Sequence, residues 1–173
     1  MLIDIILIML LYLLIGFVSG RNNDRFLFIK ASFYFLILCT LGTISLAIAI
    51  GLGYGLLIKL FHTPMTVFSF GVIVTAMGGI LNFYLVRALK MFKGAHDPAI
   101  TQVEYYIQWM TLFVTIYQFF ISSKSNMHLA TSVGISSEVI SVRDLNIVIL
   151  PILLVSWISI AMMKIYLADH HID

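Results

Sequence analysis

Charge is what this sequence has least of. Only 10% of its residues are Asp, Glu, Lys or Arg, against about 25% in an ordinary soluble domain. So few charged side chains cannot coat a water-soluble globule of 173 residues. The net charge of +2 is small, and no basic run is interleaved with aromatics, so the footprint of a nucleic-acid binder is missing. The single cysteine, Cys39, lies in an apolar run and cannot close an internal disulfide. It reads as a small packing residue. Metal-ligand spacing is also missing. His62, His96 and His128 stand alone, and the nine methionines are dispersed rather than clustered. The C-terminal run Asp169-His170-His171-Ile172-Asp173 gathers potential ligands, with His170 and His171 the nearest approach to a metal pair. A terminal tail rarely holds preformed geometry, so it reads as a solvated polar tail. No cofactor is expected.

What the sequence has is apolar length. Hydrophobic residues make up 61% of it. A helix needs roughly 20 apolar residues to cross about 30 Å of hydrocarbon. Five stretches reach that scale, at residues 3–19, 32–58, 65–86, 105–121 and 147–163. The alternating short segments of a membrane β-barrel are not seen. The expected fold is therefore all-α, a single transmembrane domain over 1–173 built as a bundle of about five spans. The first twenty residues carry Asp4 instead of a positive n-region, and no Ala-x-Ala-like site precedes Arg21. They are expected to remain as the first span and not to be removed as a signal peptide.

Helix-start chemistry marks several boundaries. Thr63-Pro64 stands before the third stretch, with threonine able to cap and proline harmless in the first turn. Thr101-Gln102-Val103-Glu104 has capping-box spacing before the fourth. Ser141-Val142-Arg143-Asp144 is similar before the fifth, inside which Pro151 predicts a kink or a later start. The second apolar run, from Phe26 to Phe61, is longer than one crossing needs. It leaves no room for a turn between two half-spans and is read as one.

Basic residues predict orientation. Arg21, Arg25, Lys30, Arg87, Lys90, Lys93 and Lys164 fall on one side of the expected topology, and Lys59, Lys124 and Arg143 on the other. That places the N-terminus outside and the C-terminus in the cytoplasm, with 122–145 an outside loop.

No Asp, Glu, Lys, Arg or His lies deep inside any of the five stretches. Ion-coupled transport needs an ionisable group that binds and releases its ion within the membrane. An intramembrane protease needs an aspartate pair or an activated serine there. Neither is available. A lipid-modifying enzyme would need Arg87, His96, Asp97 and Glu104 to converge at the cytoplasmic surface.

Uncharged polar residues are patterned instead. Gln108, Thr111, Thr115, Gln118 and Ser122 recur at steps of three and four, as do Gly71, Thr75, Gly78 and Asn82. Thr40, Thr43, Ala47, Gly51 and Gly55 follow in the second stretch, and Ser156 and Ser159 in the fifth. Gln108, Thr111, Thr115, Gln118, Asn82 and Thr75 are the candidate polar face for a partner or a pore. Gly51, Gly55, Gly71 and Gly78 are the candidate helix-packing positions, where small residues let backbones approach. Two glutamines in one span are costly in lipid, so their face is expected to meet protein. Gly53-Tyr54-Gly55 echoes the end of a potassium filter, but no threonine-valine precedes it. Trp157, near mid-span, is expected to pack on another helix, whereas Tyr105, Tyr106 and Trp109 fit an interfacial belt.

The expectation is a non-enzymatic protein of the lipid bilayer acting through helix contacts. Its partner is another membrane protein or a second copy in a homo-oligomer, as in a complex subunit, an assembly factor or a toxin-immunity protein. The alternative is an oligomeric channel or facilitator with an uncharged polar pore. A compact chain without a targeting extension suggests a bacterial plasma membrane.

Overall fold

The computed structural model describes residues 26–60, 66–94, 97–122 and 145–170, and every regular element among them is helical. The expected first span and most of the expected outside loop, with Ser141–Asp144, fall outside the described residues.

Helix α1 covers Leu27–Gly53 and continues directly into a π-helical segment, Tyr54–Leu60. No proline interrupts the run. At about 1.5 Å per residue, the 27 residues of α1 already reach about 40 Å, past the ~30 Å of hydrocarbon. The second apolar stretch is thus one long helix. Gly53-Tyr54-Gly55 lies within it, where backbone carbonyls serve helical hydrogen bonds and not a filter.

Helix α2 spans Val67–Ala88. Its N-cap is Thr66, in extended conformation, whose Oγ1 accepts the Ser69 N–H at 3.1 Å. Thr63 and Pro64 lie outside the described residues. Lys90 closes the far end in the left-handed region, at φ 48°.

Helix α3 spans Pro98–Ser122, a turn earlier than the Thr101–Glu104 spacing predicts. Asp97 is the reason. Its Oδ1 accepts the Ala99 N–H at 2.9 Å, its Oδ2 accepts the Lys93 N–H at 3.2 Å, and its carbonyl accepts Ile100 N–H. Pro98 then fills the first position, where a missing N–H costs nothing. Thr101 and Glu104 are left inside the helix. Asp97→Ala is expected to lower stability by about 1 kcal/mol, a drop of about 2–4 °C in the thermal midpoint for a chain of this size. Asp97→Asn, which still caps, should stay near wild type in the same melt.

Helix α4 spans Leu150–Asp169 and is preceded by π-helical turns at Leu145–Ile149. Pro151 explains the change. It has no N–H to donate backwards, so the tight α ladder begins around it and the wider turns lie before it. The two segments form one continuous helix.

α1 and α4 are the central pair, each touching the other three helices, while α2 and α3 flank them. The helices alternate in direction. One end of the bundle gathers the start of α1, the end of α2, the start of α3 and the end of α4. Contacts there include Tyr106 Oη donating to the Phe28 carbonyl at 3.1 Å, and edge-on rings of Phe28 with Tyr106 and Phe83 with Tyr166. Tyr106 is buried, not in an interfacial belt, while Tyr105 and Trp109 are exposed. Trp157, expected to pack on another helix, is 47% exposed.

Two apolar clusters form the core. The larger includes Phe28, Leu38, Phe83, Val86, Ile100, Val103, Ile160 and Met163. The smaller holds Leu46, Ala49, Val74 and Val155. The outside is apolar too. Phe33, Leu36, Ile44, Phe68, Phe113 and Phe119 are all exposed, a surface that water would not tolerate around a monomer and that lipid suits. Three helical runs are long and apolar enough to cross a membrane, Leu27–Leu57, Val67–Ala88 and Asn146–Asp169. α3 is long enough at 25 residues, but its glutamines and threonines make it less apolar.

Candidate functional site

Polar side chains occupy two distinct places, one inside the bundle and one on its flank. The interior set is a layer where α1, α2 and α4 meet. In α1 it falls between Leu38 of one apolar cluster and Leu46 of the other, at Gly42 and Ser45. In α2 it is Asn82, just before Phe83. In α4 it is Ser156 and Ser159, between Val155 and Ile160. Ser45, Asn82, Ser156 and Ser159 are all completely buried. Asn82 and Ser156 both come up against Gly42, which has no side chain to keep them off. A Cβ built there would lie 3.1 Å from Ser156 Oγ and 3.6 Å from Asn82 Nδ2. Cys39, a turn earlier on α1, neighbours Ser156 as well.

Glycines hold the three helices at this distance. At Gly78 a Cβ would meet Val155 Cγ2 at 3.1 Å and Leu46 Cα at 3.5 Å; at Gly79 it would meet Ile158 Cγ2 at 2.5 Å. Gly53 is close to Val74 and Phe70. Gly51, Gly55 and Gly71 have no described residue within 4 Å of a built Cβ. Of the four expected packing positions, Gly78 is the one in a close contact between described helices. Thr75 is buried and donates to the Gly71 carbonyl four residues back.

The second set is on α3, and it points away from the bundle. α3 packs inward through Ala99, Ile100, Val103, Tyr106, Ile107 and Val114. Gln108, Thr111 and Thr115 are exposed. Both threonines satisfy themselves, donating to the Ile107 and Thr111 carbonyls at 2.8 Å. Gln118 reaches Asn146, its Nε2 donating to Oδ1 at 2.9 Å, and so ties the end of α3 to the segment before α4. Gln108 is exposed and has no such tie among the described residues. Asn82 and Gln108 therefore do not line one shared surface.

Residues 3–169 match a family described as a family of unknown function, DUF8779. The chain belongs to DUF8779. No curated protein matches it, and no solved structure does.

The charged end of this DUF8779 protein is held by structural pairings. Lys164 Nζ donates to Glu104 Oε2, joining α4 to α3. Arg87 lies over the Tyr166 ring at 4.1 Å, and His170 Nδ1 contacts the Tyr166 carbonyl at 2.9 Å. Asp97 is engaged by backbone N–H groups as a cap. Among the four residues a lipid-modifying site would need, Asp97, Glu104 and Arg87 each have one of these separate contacts, and His96 is outside the described residues. No cluster of three metal-ligating side chains occurs among the described residues. His171 lies beyond them.

Proposed function

We propose that this DUF8779 protein is a non-enzymatic membrane protein that works by docking the outer face of α3 against another membrane protein. The observation that carries this is the exposure of Gln108, Thr111 and Thr115 in the same helix as exposed Leu112, Phe113, Ile116 and Phe119. A glutamine amide against hydrocarbon costs several kcal/mol unless it finds a partner. A facing helix supplies one, along with small or aromatic surface for the apolar residues between.

Within this reading the chain crosses a bacterial plasma membrane five times, with its N-terminus outside. Lys30, Arg87, Lys90, Lys93 and Lys164 stand at one end of the bundle and Lys59 at the other. The basic end belongs in the cytoplasm. A pore, on the alternative reading, would have to run between copies, since the stripe is on the outside of a single bundle.

The test is mass determination of the complex purified in mild detergent, repeated with Gln108→Leu plus Thr111→Val. A different membrane protein is expected at fixed stoichiometry. Interhelical polar contacts contribute about 0.6–2 kcal/mol each, so the double variant should weaken retention about tenfold. A clean homo-oligomer would replace the partner reading with self-association, and liposome flux would then test the pore. A monomer unaffected by the double variant would remove both.

A further inference from the structure

The end of α2 and its connection to α3 carry three cations, Arg87, Lys90 and Lys93, all exposed. Among the described residues none of the three has an ion-pair partner. The carboxylates at this end of the bundle are Glu104, Asp97 and Asp169. Glu104 takes Lys164, Asp97 takes backbone N–H groups, and Asp169 stands exposed at the end of α4. The Tyr166 ring beneath Arg87 orients the guanidinium without neutralising it. The connection itself is held down. Met91 and Phe92 are buried, Phe92 meets Tyr34 edge-on at 5.5 Å, and the Lys93 N–H donates to Asp97 Oδ2. Lys90 and Lys93 flank that buried pair. Lys90 also stands at φ 48°, a conformation that glycine fills at less cost where a helix ends. A lysine in a glycine's position points to a use for its side chain.

We infer that Arg87, Lys90 and Lys93 form a docking edge for the phosphate headgroup of an anionic phospholipid. Charge selects an anion, and level selects a lipid. The 22 residues of α2 reach about 33 Å at about 1.5 Å each, enough to cross ~30 Å of hydrocarbon. Its last turn and the connection after it therefore stand among the headgroups. The apolar neighbours agree. Leu85 and Leu89 are four residues apart, on one face of the helix end, and both are exposed, Leu89 at 58%. That strip leads up to Lys90. Acyl chains would cover it, whereas a free phosphate ion would leave it in water. A guanidinium fixed over a ring can take two phosphate oxygens, and the two lysines add point charges beside it. The edge lies on α2 and the connection, apart from the outer face of α3, so it stands whether or not that face has a partner.

The test is titration of the full chain, purified in neutral detergent, with phosphatidylglycerol or phosphatidylcholine, the bound lipid being counted by native mass spectrometry. Phosphatidylglycerol is expected to bind more tightly. One basic residue near an anionic surface is worth about fivefold in affinity, so Lys90→Gly should cut the preference about fivefold. The same change relaxes the backbone, so its thermal midpoint should stay level or rise, which separates lost binding from lost folding. Lys90→Arg should keep the preference, as should Lys59→Gln at the opposite end of the bundle and the Gln108→Leu plus Thr111→Val pair on α3. Arg87→Gln, Lys90→Gln and Lys93→Gln together should abolish it. Equal binding of the two lipids by the wild-type chain would overturn the inference and leave an acidic protein segment as the ligand. A preference that survives the triple variant would overturn it as well. So would displacement of the lipid by sodium phosphate beyond that by sodium chloride at matched ionic strength, which would assign the edge to free phosphate.

Discussion

Gly79→Ala should destabilise the bundle by about 1–3 kcal/mol, the range for overfilling a packed core. Gly51→Ala and Gly71→Ala should leave it unchanged or more stable by up to about 1 kcal/mol. All three changes add one methyl group to a glycine in a helix. They differ in what the methyl meets. At Gly79 it would lie 2.5 Å from Ile158 Cγ2 and 2.7 Å from Ile158 Cβ. The Cβ cannot swing away as the tip of a flexible side chain can, so α2 and α4 must separate. At Gly51 and Gly71 the methyl meets no described neighbour within 4 Å. In lipid, helices associate through close packing and not through a hydrophobic drive, so a separation at this crossing costs contacts along both helices. Unfolding in mixed detergent micelles, read as the midpoint shift of each variant, checks the contrast. Ile158→Ala combined with Gly79→Ala should recover part of the loss, since it removes Cγ2 and Cδ1 but keeps the Cβ contact. Equal effects at Gly79 and Gly51 would contradict the packing described here.

That contrast also shows what could be read from the sequence and what could not. The helical class and three membrane-length helices are visible as apolar runs, because run length and the lack of charge are local properties. So is the grouping of residues on a face. The direction of a face is not local. Thr40, Thr43 and Gly51 share a stripe as expected, but it is the outer one. The inner stripe of α1 runs through Gly42, Ser45, Ala49 and Gly53, and nothing in the three-to-four spacing prefers it. Asn82 and Gln108 look alike in sequence, each a polar residue on a small or polar face. One is at the centre of the bundle and the other on its flank, since rotation about the helix axis depends on all the neighbours at once.

The start of α3 is set by a different kind of signal. Asp97-Pro98 carries the cap, while the capping-box spacing of Thr101–Glu104 stands nearer the apolar residues that mark the span. The buried first turn of α3, with Ala99, Ile100 and Val103, starts before the hydropathy does. Gly78, not Gly79, fits the three-to-four spacing with Gly71 and Asn82. The tighter contact is nonetheless the one Gly79 makes.

Asn82→Asp should be more damaging than any change on the flank of α3. The two side chains have nearly the same shape, so packing around Gly42 and Phe83 is retained. What changes is charge. Asn82 is fully buried at a helix crossing with no cation among the described residues of the layer. Placing an aspartate at the centre of a membrane helix costs about 2.5–3.5 kcal/mol on insertion scales. The sign of the pH dependence follows. A protonated carboxyl is neutral and can replace the amide, so the penalty is absent under acid conditions where an unfolded aspartate, ordinarily near 3.9, is itself protonated. As pH rises above that value the unfolded chain ionises freely and the folded core resists, so the variant loses stability relative to wild type. The comparison must be made against wild type at each pH, so that effects of pH common to both chains cancel. The expected result is a gap between the two melting curves that is small near pH 4 and widens toward neutrality. A gap that does not change with pH would mean that position 82 meets bulk water, and that the layer is a wet opening in place of an enclosed site.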